Sequence, residues 1–164
     1  MSALVTSRLQ GRPVAPSDAP FLAALFGAPG VAAWTSEDRA PWTPARAKAK
    51  AAAFAAHWTA HRFGLRVWEE DGVPAVLAGL QFCVIGGLPA VEAAFATAPE
   101  RQRRGLAAEA MAAALTEAPG IAARLHAVTL AGNAPAEALL RRLGFALAAD
   151  GPPRLWVLKV EAGA

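Results

Sequence analysis

Tyrosine is absent from this 164-residue chain, and cysteine occurs once, at Cys83. No phenol is available as acid, base or nucleophile, and neither a disulfide framework nor a cysteine-rich zinc site can form. No uninterrupted apolar run is long enough to cross a bilayer, and no apolar signal core follows Met1. A cytoplasmic location with no membrane partner is therefore expected. Neither G-x-x-x-x-G-K-S/T nor G-x-G-x-x-G is present, which removes the nucleotide and dinucleotide loops. An excess of one charge is lacking too. Sixteen basic against thirteen acidic residues leave +3, too mild a balance to indicate nucleic acid.

What remains suits one domain over residues 1–164, with enough chain to bury a full core. The 55% apolar fraction overstates that core, because alanine supplies much of it. Arg8–Val14 reads as a first strand, and Ser17 or Asp18 as the cap of a helix carrying Phe21, Leu22, Leu25 and Phe26. Gly27 and Pro29-Gly30 should stop it, leaving a connector from Val31 to Pro41 with a Ser-Glu-Asp-Arg tract. Thr43-Pro44 opens a helix to about Arg62, since threonine caps and proline suits the first helical position. Gly64–Glu70 and Ala75–Ile85 read as a hairpin through Asp71-Gly72, followed by a strand at Val91–Thr97. A helix from Arg104 to about Ala118, a strand at Leu125–Leu130 and a helix from Gly132-Asn133 to Gly144 come next. A last hairpin, Phe145–Ala149 with Arg154–Val160, turns at Asp150-Gly-Pro-Pro.

The densest chemical signal is Ala98-Pro-Glu-Arg-Gln-Arg-Arg-Gly-Leu-Ala107, a basic loop between an apolar strand and a helix. N–H groups in the first turn of a helix lack intrahelical partners and carry the positive end of the dipole. Such a start suits a pyrophosphate, Gly105 and Ala107 allow close approach, and Arg101, Arg103 and Arg104 add charge. His57 and His61 stand at i and i+4, a spacing open to a metal, but no third ligand follows and no metal is expected. Cys83 lies in an apolar strand with no base beside it and reads as core.

Gln102-Arg103-Arg104-Gly105-Leu106-Ala107 matches Q/R-x-x-G-x-G/A and resembles the acetyl-CoA pyrophosphate loop of the GNAT superfamily of acetyltransferases. Asn133, Ala136, Leu139 and Leu143-Gly144-Phe145 look like its second signature. Thr6-Ser7-Arg8-Leu9 with Arg12-Pro13 is similar to the branch that acetylates ribosomal-protein N-termini. The resemblance implies an α/β fold. Its mixed, mostly antiparallel sheet of about seven strands would be splayed between the fourth and fifth and flanked by about four helices. Acetyl-CoA would then lie in the gap. Phe95, Ala96 and Thr97 would meet pantetheine, and Gln102, Arg103, Arg104, Gly105, Leu106 and Ala107 the pyrophosphate. Asn133 and Ala136 would line the arm.

The implied reaction is attack of a primary amine on the thioester, in a ternary complex. Glu92 is the candidate proton acceptor, because it interrupts an apolar strand beside the gap. Many members carry a tyrosine in the helix after Asn133 to protonate the thiolate, whereas Leu140 stands at that position here. The acceptor is expected to be a protein N-terminus, with an amino acid, polyamine or antibiotic amine as the alternative. A non-catalytic acyl-CoA sensor is a further reading. Trp34, Trp42, Trp58, His61 and Trp156 are candidates for the acceptor side, or for core or dimer surface. Monomer and homodimer both stay open. Gly105→Glu is expected to abolish CoA binding with little effect on the melt of the free protein.

Overall fold

The computed structural model describes residues 3–35 and 38–161, so Met1, Ser2, Ser36, Glu37 and 162–164 fall outside the described residues. Half of the expected Ser-Glu-Asp-Arg tract is among them.

The expected first strand is shorter than Arg8–Val14 and has a strand before it. β1 (Leu4–Val5) folds back on β2 (Gln10–Pro13), with Leu4 opposite Gly11. The turn between them closes where the Thr6 N–H donates to the Leu9 carbonyl at 2.9 Å. The Trp68 ring lies flat on Gly11, where an added Cβ would come within 2.6 Å of it. Glycine is therefore required there by packing.

Six more strands complete one sheet: β3 (Leu65–Glu70), β4 (Val73–Ile85), β5 (Leu88–Thr97), β6 (Arg124–Thr129), β7 (Ala146–Asp150) and β8 (Arg154–Lys159). Their order is β1-β2-β3-β4-β5-β6-β8-β7, and among the described residues only the β5–β6 pair is parallel. Among the described residues, eight strands replace the expected seven, because Leu4–Val5, ahead of the expected first strand at Arg8–Val14, pairs as a strand of its own.

Among the described residues, five α-helices flank the sheet: α1 (Ala19–Gly27), α2 (Pro29–Thr35), α3 (Pro44–His61), α4 (Leu106–Leu115) and α5 (Ala134–Arg142). The extra one is α2. Pro29 was expected to end a helix, but it begins another, since a missing N–H costs nothing in a first turn. Thr43 caps α3 by accepting from the Arg46 N–H at 3.2 Å.

Two apolar layers hold the sheet. On one face Leu106, Met111, Leu125, Leu140 and Trp156 pack with Val91 and Ala93. On the other, Leu22 and Leu25 of α1 and Ala47 and Ala51 of α3 pack on Val67 and Leu77. Burying each leucine contributes about 1.5–3 kcal/mol, which makes these layers the main source of stability. Side chains alternate between faces along a strand, so Val91 and Ala93 enter the first layer while Glu92 and Ala94 turn to the other side. That alternation places the residues of the candidate site. Among the described residues, no helix is long and apolar enough to cross a membrane.

Candidate active site

β4 pairs with β5 continuously from Val76↔Thr97 to Ile85↔Leu88, but β5 and β6 meet at one pair only, Glu92↔His126. The sheet is thus open between its two parallel strands. Past Glu92, the β6-facing edge of β5 has main-chain groups with no ladder partner, and such groups need one from elsewhere.

A cleft of about 660 Å³ occupies this gap, within the usual range for a small-molecule site. β5 contributes Phe95, Ala96 and Thr97, and the following loop and helix start contribute Gln102, Arg103, Gly105, Leu106 and Ala107. α5 supplies Asn133 at its N-cap, then Ala136, Leu139 and Arg142, and α2 closes the far wall with Val31 and Trp34. Arg104 does not line it. Its guanidinium turns away to Glu70, at 2.8 and 2.7 Å. Arg101 lines the cleft but also pairs with Glu70. Burial pushes Glu70 up, and the two arginines outweigh it and hold the carboxylate below its ordinary range. Of the three loop arginines, Arg103 alone has no ion pair among the described residues.

The loop main chain alternates in hand. Arg103 (φ 61°) and Gly105 (φ 75°) are left-handed and Arg104 between them is not, a pattern that turns successive N–H groups to one side. Gly105 caps α4 without a side chain, so the N–H groups of the first turn have no side-chain acceptor. The loop is braced from behind. Arg8 donates to the Arg104 carbonyl at 2.8 Å, and through Nε to Glu109 at 2.7 Å. Glu109 also accepts from the Thr6 hydroxyl at 2.5 Å, the Ser7 hydroxyl at 3.1 Å and the Arg8 N–H at 2.9 Å. Burial raises the Glu109 carboxyl, but these donors outweigh it and hold it at about 2. The Thr6-x-Arg8 pattern was legible in the sequence. Its partner Glu109, in the first turn of α4, was not picked out.

Glu92 is largely buried at the point where β5 and β6 meet, and accepts from Gln81 Nε2 at 3.2 Å. Burial pushes its carboxyl above 4.5, and the Gln81 bond only partly offsets this. Asn133 occupies the cap position of α5, yet its side chain makes no cap hydrogen bond and lines the cleft instead. Leu140 is fully buried and does not reach the cleft. Cys83 is half-buried on β4, less enclosed than the expected core position. Burial, then the Glu92 charge, pushes its thiol up to about 11, so it stays protonated.

His57 and His61 do not form a metal pair. His57 Nδ1 lies 2.9 Å from the Phe63 carbonyl and must donate, while Nε2 accepts from the Phe82 N–H at 3.0 Å. Both ring nitrogens are used and the neutral ring is fixed in one tautomer. Burial and then the His61 charge lower His57 below 6.5, against the Phe63 bond that raises it. A native state that binds fewer protons than the unfolded chain gains stability as pH rises. The His57 contribution is full above 6.5 and is lost as pH falls through the lower native value. NMR titration of the ring should give a midpoint below 6.5 and Nδ1–H at pH 7, and the melt should fall from that pH downward. A midpoint above 6.5 would exclude the two-bond arrangement.

The tryptophans divide. Trp58 and Trp156 are core, Trp42 stacks on Phe26 at 4.1 Å, and Trp34, 41% exposed, reaches the cleft.

A sequence profile of the GNAT acetyltransferase domain matches residues 8–146. The chain belongs to the GNAT acetyltransferase family. A solved chain from Bordetella pertussis, described as GNAT-family, shares 27% identity over 98% of this GNAT chain and 100% of its own, with a TM-score of 0.82. A Salmonella typhimurium acetyltransferase that modifies the N-terminal serine of ribosomal protein L7/L12 has 13% identity and a TM-score of 0.78, covering 98% of this chain and all of its own. At 19% identity, Salmonella typhimurium yncA, solved with acetyl-CoA, gives a TM-score of 0.73 over 96% of this chain and 97% of its own. These last two likenesses show the fold alone. No curated protein sequence matches the chain significantly. The GNAT fold, with its sheet opened between the two parallel strands, agrees with the sequence expectation. In that seven-strand count β5 and β6 are the fourth and fifth strands.

Proposed function

We propose that this GNAT chain transfers the acetyl group of acetyl-CoA to a primary amine, and that a protein N-terminus is the amine. One observation carries the reading. A single opening in the sheet is bounded by the unpaired edge of Phe95–Thr97, by left-handed Arg103 and Gly105 at the α4 start, and by an uncapped Asn133. In this reading the unpaired edge of β5 bonds the pantetheine amides, and the N–H groups of Gly105, Leu106 and Ala107 meet the pyrophosphate. Arg103 and Arg142, neither ion-paired among the described residues, neutralise it. Gln102 serves the loop by donating to the Thr97 carbonyl at 3.2 Å. Arg104 contributes main chain only.

Glu92 takes the proton of the attacking amine, directly or through water, as a C–N bond forms and the C–S bond breaks. The cleft-lining residues include no tyrosine or cysteine, so the departing thiolate takes its proton from solvent. A thiol of pKa about 8.5 is a tolerable leaving group without an acid. The same lack of a side-chain acid supports the second reading, an acyl-CoA sensor. The N-terminal acceptor rests on the opening Thr6–Pro13 segment and on the likeness in fold to the L7/L12 enzyme.

CoA at saturation should raise the melting temperature, since a ligand that binds only the native state stabilises it by mass action. At 100-fold over Kd the gain is about 2.7 kcal/mol. A melt unmoved by CoA would sink the reading. Release of free thiol with a panel of peptides, amino acids and polyamines would then separate enzyme from sensor.

A further inference from the structure

A second cavity, of about 590 Å³, lies on the other side of the Glu92↔His126 pair. Pro89, Ala90 and Val91 line it from β5, just before Glu92, while the cofactor cleft begins just after it, at Phe95. Glu92 therefore stands on β5 between the two cavities. The polar side chains of the second one are Arg124, His126 and Lys159, and the rest of the lining is apolar.

Three observations make this an anion site. Arg124 and Lys159 are register partners across β6 and β8, so two cations face each other directly. Like charges in that position repel, and among the described residues no acid pairs with either. Second, Leu125 and Ala127 enter the core, so Arg124 and His126 turn to the opposite face, the one that carries Glu92. Third, the His126 ring lines the same cavity beside Arg124, a third nitrogen-bearing side chain in an otherwise apolar lining. From the strand spacings, the Arg124 and Glu92 Cα atoms are about 8 Å apart. An arginine and a glutamate reach across that interval to two groups separated by only a few bonds.

We propose that this cavity is the acceptor subsite, and that it selects a primary amine carrying a carboxylate. The inference rests on the acetyl-transfer reading and deepens it. The carboxylate settles on Arg124 and Lys159, beside the His126 ring, and the amine reaches Glu92 as the acetyl group arrives from the opposite cavity. The cations also disfavour the ammonium form of the amine nearby, which supplies the free base that attacks. A free amino acid and a polypeptide beginning with an acidic second residue present the same chemistry.

The test uses matched acceptors, followed by thiol release and by the melt in the presence of CoA. Alanine against alaninamide is one pair. An Ala-Asp against an Ala-Asn peptide, each with an amidated C-terminus, is the other. The acid member of at least one pair should be preferred about tenfold or more, the size of one charge-assisted contact. Which pair responds identifies the source. Arg124→Glu with Lys159→Glu should remove the preference, and the CoA-induced rise in melting temperature reports that this variant is folded. Lys159→Ala alone should lower the preference partly. Equal handling of acid and amide in both pairs overturns the inference, as does a preference that survives the double reversal. So does a complete lack of turnover and of acid-dependent melting shift. If CoA shifts the melt and the acid preference is absent, this inference fails alone. A melt unmoved by CoA is the failure of the acetyl-transfer reading.

Discussion

Gly105→Glu should abolish CoA binding, with affinity reduced by at least about 100-fold, because it sets a carboxylate where the diphosphate meets the helix start. The space itself is open, since an added Cβ would find only Arg8 Nη2, at 3.6 Å. The conformation is not free. Gly105 sits at φ 75°, and any L side chain there costs about 1–2 kcal/mol. The expectation of an unchanged melt therefore needs correction: the free protein should melt about 2–8 °C lower. Gly105→Ala carries the same strain without the charge and is the control. It should lose the same stability and keep most of its CoA affinity. Calorimetric titration with CoA checks both, and wild-type binding by the glutamate variant would move the pyrophosphate elsewhere.

Glu92→Gln should lower kcat/KM about 10²–10³-fold, the range of a positioned general base, with CoA affinity within about threefold of wild type. The melt at pH 7 should not fall. Burial holds the Glu92 carboxyl above 4.5, so the native state binds its proton more readily than the unfolded chain does. Stability from this group thus declines as pH rises through that window, and the neutral amide escapes the loss. Activity has the opposite sign, because the carboxylate is the working form. The wild-type rate should rise with pH through a value above 4.5, and this limb should vanish in the variant. Gln81→Leu removes the bond that partly holds Glu92 down and should move the limb upward. Full turnover by Glu92→Gln would remove the base assignment.

The parts of the fold fixed by local chemistry were legible in the sequence. Thr43-Pro44 opens a helix and Asp71-Gly72 a hairpin because capping, proline geometry and turn conformation act within a few residues. Pro29 was misread because one residue type both ends a helix and begins one, and only packing decides which. At the site, the pattern from Gln102 to Ala107 placed the loop on a helix start but could not orient its side chains. Arg104 was grouped with Arg103 by sequence, yet Glu70, 34 residues away, draws it off. The carboxylate under Arg8 and the second cavity beside His126 depend on strand order, which no local pattern carries.

The brace between Arg8 and Glu109 joins residues 101 positions apart. Synthesis delivers Thr6, Ser7 and Arg8 first and the carboxylate they share about a hundred residues later. Contacts of such long separation form late, after the intervening chain has lost its freedom. On a ribosome, the nascent chain should stay blind to CoA until α4 has emerged and closed on its own beginning.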